Sequence, residues 1–177
     1  MDSSVTSSGA NVTPVTTFLI TDIEGSTHLW EAHPHEMRRA LEHHDATCRD
    51  VVQAHRGNII KGTGDGILAA FLDPLDAILA ALDLQRQLKD AAVIPTAPLR
   101  IRCGLHAGVV EHRDNDVFGT AVNAAQRIMS CAHGGQVLVS QVVAGLVRGR
   151  LPQPIAFHDL GEVRLRDMIE PERVFQL

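Results

Sequence analysis

Residues 15–27 read VTTFLITDIEGST and combine a strand pattern with the pattern of a ligand site. The first seven of them are mostly apolar or β-branched, which favours a β-strand. The strand pattern ends abruptly at Asp22, and the small residues around Gly25 predict a turn that opens a helix. An acidic side chain at the carboxyl end of a strand, next to a glycine turn, is a common position for ligand contacts. We therefore expect a functional site at this junction.

The segments after this junction alternate between helix and strand patterns. Apolar or small residues recur every three or four positions over residues 34–55, as on one face of an amphipathic helix. Residues 58–61 and 67–71 are β-type segments, and the glycines between them predict a hairpin with Asp65 at its tip. Asp22 and Asp65 are therefore expected to face each other across neighbouring strands.

The second half of the chain continues the alternation and leads to a fold class. The patterns predict, in order, a helix capped by Asp73 and Pro74 and running to about residue 91, a strand over residues 99–110, a helix over residues 120–132, a strand over residues 136–139, a short helix after Ser140 and a β-rich end over residues 155–177. This order predicts an α+β fold with a ferredoxin-like βαββαβ core, an additional helix and additional strands. The antiparallel or mixed sheet is expected to carry its helices on one face.

Composition and charge exclude several classes of protein. The length of 177 residues predicts a single domain, with a Ser- and Thr-rich flexible tail over residues 1–14 and the domain itself over residues 15–177. The net charge of −5 and the low aromatic content argue against a nucleic-acid partner. No apolar run approaches the roughly 20 residues needed to cross a bilayer, so we expect no membrane contact and a cytoplasmic location. Three cysteines without a CxxC pair indicate neither a disulfide framework nor a structural zinc site.

Asp22 and Asp65 are candidate ligands of a hard divalent cation. Such cations prefer carboxylate and carbonyl oxygens and keep waters or substrate phosphates in their other positions. An ordinary Asp-Gly turn is the alternative explanation for Asp65. Residues 23–27 place successive backbone N–H groups at a turn before a helix, which favours an anion cradle, although a simple helix cap also explains Gly25 and Ser26.

Asn123 and Arg127 are a second pair of candidates. They are four residues apart in a clear helix pattern, so their side chains leave the same face one turn apart. An amide can orient a sugar and a guanidinium can stabilise an anionic transition state, but the same spacing is also common on a solvated helix face.

Three blocks of sequence, in this order, closely resemble the signature blocks of the class III nucleotidyl cyclase catalytic domain. They read FLITDIEGST over residues 18–27, KGTGDG over residues 61–66 and DVFGTAVNAAQR over residues 116–127. The resemblance extends from about Val15 to Leu177, and the TDIEGST form of the first block is typical of bacterial members. It implies a phosphorus–oxygen lyase that forms a cyclic nucleotide.

The resemblance also implies roles for individual residues. Asp22 and Asp65 resemble the two metal aspartates, with the carbonyl of Ile23 as a further ligand, and they imply two divalent cations, Mg²⁺ or Mn²⁺. Lys61 and Asp116 resemble the pair that reads the purine edge. A lysine that donates to N1 and a carboxylate that accepts from the exocyclic amine favour adenine over guanine.

The remaining implied roles concern the ribose and the phosphates. Asn123 resembles the residue that orients the ribose, and Arg127 resembles the residue that stabilises the transition state. The turn formed by Gly25, Ser26 and Thr27 is expected to bind phosphate.

One departure from the family pattern concerns the terminal phosphates. Many members have Lys followed by Gly where this chain has Leu165-Arg166-Asp167. Arg166 is the candidate phosphate-binding residue in place of that lysine, while Asp167 beside it weakens the local positive potential.

The implied reaction is the conversion of ATP to 3′,5′-cyclic AMP and pyrophosphate by in-line attack of the ribose 3′-oxygen on the α-phosphate. In this family the metal aspartates of one subunit meet the Asn and Arg pair of another, which implies a head-to-tail homodimer with shared sites. A guanylate cyclase and a non-catalytic cyclase-like module for nucleotide binding or dimerisation are the alternatives.

Overall fold

The computed structural model describes residues 14–90, 99–109, 111–113, 116–166, 168 and 170–177, without the side chains of residues 90 and 111–118. The tail expected over residues 1–14 lies outside the described residues except for Pro14. The strands are β1 (Thr16–Ile23), β2 (Asn58–Gly62), β3 (Ile67–Phe71), β4 (Ile101–Gly108), β5 (Glu111–Arg113), β6 (Asp116–Phe118), β7 (Val137–Ser140), β8 (His158–Val163) and β9 (Glu172–Gln176). The helices are α1 (Ser26–Ala32), α2 (Pro34–Ala54), α3 (Pro74–Asp90), α4 (Thr120–Ser130) and α5 (Gln141–Leu146).

Within this part of the chain, seven strands form one sheet in the order β2-β3-β1-β4-β7-β9-β8. Its neighbouring strands are antiparallel, except that β4 and β7 run parallel. β5 and β6 pair separately as a short ribbon. The strands β1 to β4, together with α2 and α3, form the predicted βαββαβ core, and the remaining elements extend its mixed sheet. The α+β fold class predicted from the sequence is therefore confirmed.

Helices cover both faces of the sheet, which corrects the expectation that they lie on one face. The larger core contains Leu19 and Leu105 and is closed by α2, α3 and α5. α4 packs on the opposite face, against Phe18 and Ile20. Successive residues of a strand point to opposite faces, so residues 18 and 19 belong to different layers. The amphipathic pattern of a helix predicts which of its sides is buried, but not which face of a sheet it covers.

Local sequence explains where the elements begin and end. The carboxylate of Asp73 accepts a hydrogen bond from the N–H of Leu75 at 2.9 Å, so the predicted helix cap is present. After α2 the chain turns at Gly57, where a Cβ atom would lie 2.3 Å from the ring of Phe71. A side chain at this position would push the turn off β3. None of the helices in the described residues is both long and apolar enough to cross a membrane.

Candidate active site

Asp22 and Asp65 come together where β1 ends. Asp22 lies near the end of β1, and Asp65 lies in the turn between β2 and β3, next to β1. The N–H of Ile23 donates to the backbone carbonyl of Asp65 at 3.1 Å, and the hydroxyl of Ser26 donates to the Asp65 carboxylate. Backbone and side-chain hydrogen bonds therefore hold the turn with Asp65 against the end of β1.

The close approach of this turn depends on Gly66 and Thr21. A Cβ atom at Gly66 would lie 1.9 Å from the carbonyl oxygen of Thr21, so any other residue would separate the turn from β1. The hydroxyl of the buried Thr21 accepts a hydrogen bond from the N–H of Ile67 at 3.1 Å. Asp65 is thus held on both sides, unlike the tip of a free hairpin.

Arg102 lies directly opposite Asp22 on β4 and forms an ion pair with it. Burial raises the pKa of the Asp22 carboxyl, the hydrogen bond from Arg102 lowers it, and the negative charge of Asp65 raises it. The effect of Asp65 means that the two carboxylates repel each other, and a divalent cation between them would relieve that repulsion. Two carboxylates and a backbone carbonyl are also the oxygen ligands that Mg²⁺ and Mn²⁺ prefer, so the residues fit such a cation.

A cation at this position would need ligands from outside the acidic pair. Among the described residues, no group of three or more His, Cys, Asp or Glu side chains is placed to hold a metal ion. Mg²⁺ usually takes one or two carboxylates and fills its other positions with water and substrate phosphates. The acidic pair is therefore suited to a metal that arrives with a phosphate-bearing substrate.

The predicted phosphate turn lies next to the acidic pair. Gly25 has φ of 69°, a left-handed conformation that favours glycine, and α1 begins immediately after it. Gly25 and Thr27 are exposed, whereas Ser26 is half-buried with its hydroxyl bonded to Asp65. The side chain of Ser26 thus orients the acidic pair, and phosphate contacts of this turn stay a prediction for its backbone.

The two predicted purine-reading residues lie on different elements. Lys61 is exposed on β2, which forms one edge of the sheet. Asp116 opens β6 and pairs with Arg113, but its side chain lies outside the described residues. The pairing of Lys61 with Asp116 around a base stays a prediction from the sequence.

A cavity of about 560 Å³ beside α4 brings together three other candidates. Asn123 and Arg127 line it from α4, and the guanidinium of Arg127 donates a hydrogen bond to the backbone carbonyl of Arg166. Neither Asp22 nor Asp65 is among the described residues that line it, which are Asn123, Gln126, Arg127, Ser130, Cys131, Arg164 and Arg166. The acidic pair and the α4 cavity are therefore two separate parts of the surface of one chain.

Three guanidinium groups give the α4 cavity its chemical character. Arg127, Arg164 and Arg166 all line it, and guanidinium forks match the oxygens of a phosphate. An amide, Asn123, and a hydroxyl, Ser130, add neutral hydrogen-bonding groups. The cavity is suited to an anionic ligand that also carries hydroxyl groups, such as a nucleotide.

Comparison with known proteins assigns the chain to a family. The sequence pattern of the family described as adenylate and guanylate cyclase catalytic domain matches residues 10–176. The chain belongs to this family. An uncharacterised protein of Mycobacterium tuberculosis is 41% identical to this cyclase domain over 167 residues, which cover 93% of this chain and 56% of that protein. The chain spans about half the length of this mycobacterial protein and of a receptor-type adenylate cyclase from Trypanosoma equiperdum.

Solved structures of cyclases share the fold of this domain. An adenylate cyclase from Trypanosoma brucei, described in its monomeric state, superposes with a TM-score of 0.84 at 27% identity over 93% of this chain and 90% of that chain. An adenylate/guanylate cyclase/hydrolase from Silicibacter pomeroyi superposes with a TM-score of 0.80 at 27% identity over 92% and 95%. The family includes enzymes for both nucleotides, so membership supports a nucleotide cyclase without selecting the purine.

The sequence did not point to two arginines of the cyclase domain, Arg164 and Arg102. Arg164 is marked by a weak signal, since exposed arginines flank Leu165, whose exposed fraction is 1%. Both arginines line the α4 cavity, although residues 164–166 follow the end of β8. Arg102 carries no comparable signal, because its partner Asp22 is 80 residues away and the strand register alone joins them.

Proposed function

We propose that this cyclase domain converts ATP to 3′,5′-cyclic AMP and pyrophosphate, in active sites shared by two copies of the chain. The proposal rests on one observation above all: a single chain carries both the acidic pair and the arginine-lined α4 cavity, at separate places. A head-to-tail dimer would bring each acidic pair to the α4 cavity of its partner and complete two equivalent sites.

The acidic pair is the metal-binding half of the proposed site. Asp22, Asp65 and the carbonyl of Ile23 would hold two divalent cations, Mg²⁺ or Mn²⁺. Cations held there would lower the pKa of the ribose 3′-hydroxyl and would neutralise charge on the phosphates. Arg102 and Ser26 keep the two carboxylates in position through their bonds to Asp22 and Asp65 respectively.

The α4 cavity is the half that binds and orients the nucleotide. The 3′-hydroxyl loses its proton to water, its oxygen forms a bond to the α-phosphorus, and the bond from that phosphorus to the bridging oxygen breaks, so that pyrophosphate leaves with the electron pair. Asn123 orients the ribose, and Arg127 stabilises the charge that develops on the α-phosphate. Arg166, with Arg164 beside it in the same cavity, binds the terminal phosphates.

The choice of adenine rests on the chemistry of Lys61 and Asp116. Lysine donates to the N1 acceptor of adenine, whereas guanine presents an N1–H donor and a carbonyl there. We expect the purified chain to form cyclic AMP from ATP faster than cyclic GMP from GTP, with either Mg²⁺ or Mn²⁺. Chromatographic measurement of both products tests this expectation. Faster formation of cyclic GMP would identify a guanylate cyclase, and nucleotide binding without either product would identify a non-catalytic module.

Mixing two inactive variants tests the shared site. Asp22→Ala removes the metal half, and Arg127→Ala removes a transition-state contact worth about 10²-fold in kcat. Equal amounts of the two chains should pair at random and recover about a quarter of wild-type activity, because half of the dimers are mixed and each mixed dimer has one intact site.

A matched mixture provides the control for this experiment. Asp22→Ala mixed with Asp65→Ala should recover nothing, because both changes affect the same half and no dimer contains an intact site. Recovery in this control, or no recovery with Arg127→Ala, would contradict the shared site.

A further inference from the structure

Glu24 lies two residues after Asp22, and its carboxylate is bonded to a turn that is far away in the sequence. It follows β1 directly, is half-buried, and donates its backbone N–H to the carbonyl of Arg100 at 2.9 Å. Its carboxylate accepts a hydrogen bond from the N–H of Gly134 at 2.9 Å, across 110 residues of sequence. A carboxylate bonded in this way to a backbone N–H is positioned as a structural acceptor, because a charge-assisted hydrogen bond satisfies it.

Gly134 belongs to the turn that joins α4 to β7 and is closely packed. A Cβ atom there would lie 2.5 Å from the Glu24 carboxylate and 2.6 Å from Cβ of Arg100. The next residue, Gly135, donates its N–H to the carbonyl of Ile101 at 2.8 Å. The turn after α4 is therefore attached both to the end of β1, through Glu24, and to the start of β4.

These contacts join two parts of the chain that the proposed function separates. α4 ends at Ser130, only four residues before Gly134, and carries Asn123 and Arg127. The segment with Glu24 carries Asp22 and adjoins Asp65. In the proposed head-to-tail dimer, these two parts of one chain serve different active sites.

We propose that Glu24 is a positioning residue that links the acidic pair of one active site to α4 of the other, so that the two sites of the dimer are coupled. This inference rests on the proposed function, since the coupling exists only where the sites are shared. The link acts through one hydrogen bond in a closely packed turn, so a small displacement of residues 22–24 moves the carboxyl-terminal end of α4. Displacement of a reacting group by even 1 Å can reduce a rate by about 10²-fold.

The mixed dimer described above separates this coupling from a local effect on the metal. Its one intact site takes the acidic pair from the Arg127→Ala chain and α4 from the Asp22→Ala chain. Glu24→Ala is added to the Asp22→Ala chain, whose own acidic pair is already inactive. We expect kcat of the intact site to fall about tenfold, as for loss of a hydrogen bond to a charged group, with KM for the metal–ATP complex changed less than about twofold.

Three further variants in the same Asp22→Ala chain control this experiment. Glu24→Gln keeps an oxygen that accepts from Gly134 and should restore at least about half of kcat. Gly134→Ala keeps the carboxylate but displaces the turn and should reproduce the loss. Glu31→Ala removes an exposed carboxylate of α1 and should leave kcat unchanged. Unchanged kcat in the Glu24→Ala mixture would overturn the coupling while leaving the shared site intact.

Amide hydrogen exchange provides a readout that does not depend on activity. In the full chain, Glu24→Ala should speed exchange of the Gly134 amide about tenfold, whereas Glu24→Gln should not, and exchange in β1 and β4 should stay slow in both. Unchanged exchange at Gly134 would refute the link itself. Failure of the parent mixture to recover activity would refute the shared site and the coupling together, whereas recovery that is insensitive to Glu24 would refute the coupling alone.

Discussion

The two faces of β4 differ in almost every physical property. One face carries Ile101, Cys103, Leu105 and Ala107, which are buried in the large core under α2, α3 and α5. The other carries Arg102, Gly104, His106 and Gly108; the two glycines face α4, and Arg102 pairs with Asp22. The same strand thus supplies an aliphatic surface to one layer and small or polar side chains to the other.

One face of β4 therefore contributes mainly to stability, and the other mainly to the position of α4. The core face gains free energy in proportion to the apolar area that it removes from water. The α4 face instead lets the helix pack close to the strand. A Cβ atom at Gly104 would lie 2.3 Å from the backbone nitrogen of Met129, so α4 packs directly on the backbone of β4. Removal of a methylene should therefore reduce stability most on the core face. Addition of a methyl group should reduce activity most on the α4 face.

The largest effect on stability is expected from Leu105→Ala on the core face. Leu105 is fully buried, and truncation leaves a cavity that should cost about 3 kcal/mol in the free energy of unfolding. Urea unfolding at constant protein concentration measures this cost, and cyclase activity well below the transition should stay near that of the wild type. A variant with normal stability and lost activity would show that the two faces are not divided in this way.

Gly104→Ala on the opposite face should have a smaller effect on stability and a larger effect on activity. The added methyl group meets the backbone of α4, so we expect a loss of about 2 kcal/mol in the free energy of unfolding. Displacement of Asn123 and Arg127 with the helix should lower kcat about 10²-fold, measured as cyclic nucleotide formed per folded chain. Gly145→Ala is the control, because a Cβ atom there meets nothing within 4 Å and activity should not change.

Thr21→Val should have the smallest effect on stability, and it tests a buried hydrogen bond next to the turn with Asp65. The change keeps the shape of a fully buried side chain but leaves the N–H of Ile67 without its acceptor, which should cost about 1 kcal/mol in the free energy of unfolding. The turn with Asp65 lies next to this bond, so the Mg²⁺ concentration for half-maximal activity should rise. Thr21→Ser keeps the hydroxyl and should behave as the wild type, and equal behaviour of the two variants would contradict the argument.

Much of the fold could be predicted because its signals are local. The run of apolar and β-branched residues over 15–21, the glycine turn before Ile67 and the cap at Asp73 each act within a few residues, and each matches an element boundary of the structure to within a few positions. The placement of α4 on the opposite face could not be predicted in this way. Its apolar stripe fits either face, and the choice depends on the glycines of β4, which lie outside the helix and its stripe.

The residues of the candidate site fall into the same two groups: those with a local sequence signal and those placed by tertiary contacts. Sequence alone named Asp22, Asp65, Asn123 and Arg127, because residue type, spacing and the order of the blocks carry that information. It missed the partners that orient them. Arg102 meets Asp22 through strand register, and Glu24 meets Gly134 through the packing of two turns.

Short segments of the sequence therefore predicted most of the helices and strands, the family and the candidate residues for the chemistry, because propensity, periodicity and motif spacing are local properties. The ribbon of β5 and β6 was not predicted. The face that each helix covers became visible only in the tertiary structure. The same is true of the roles of Arg102 and Arg164 in the candidate site, and of the separation of the acidic pair from the α4 cavity on one chain. These features depend on contacts between different segments of the chain, such as Gly104 with Met129, Asp22 with Arg102 and Glu24 with Gly134. Such contacts form only when the whole sheet is assembled, and no short segment of the sequence contains both partners.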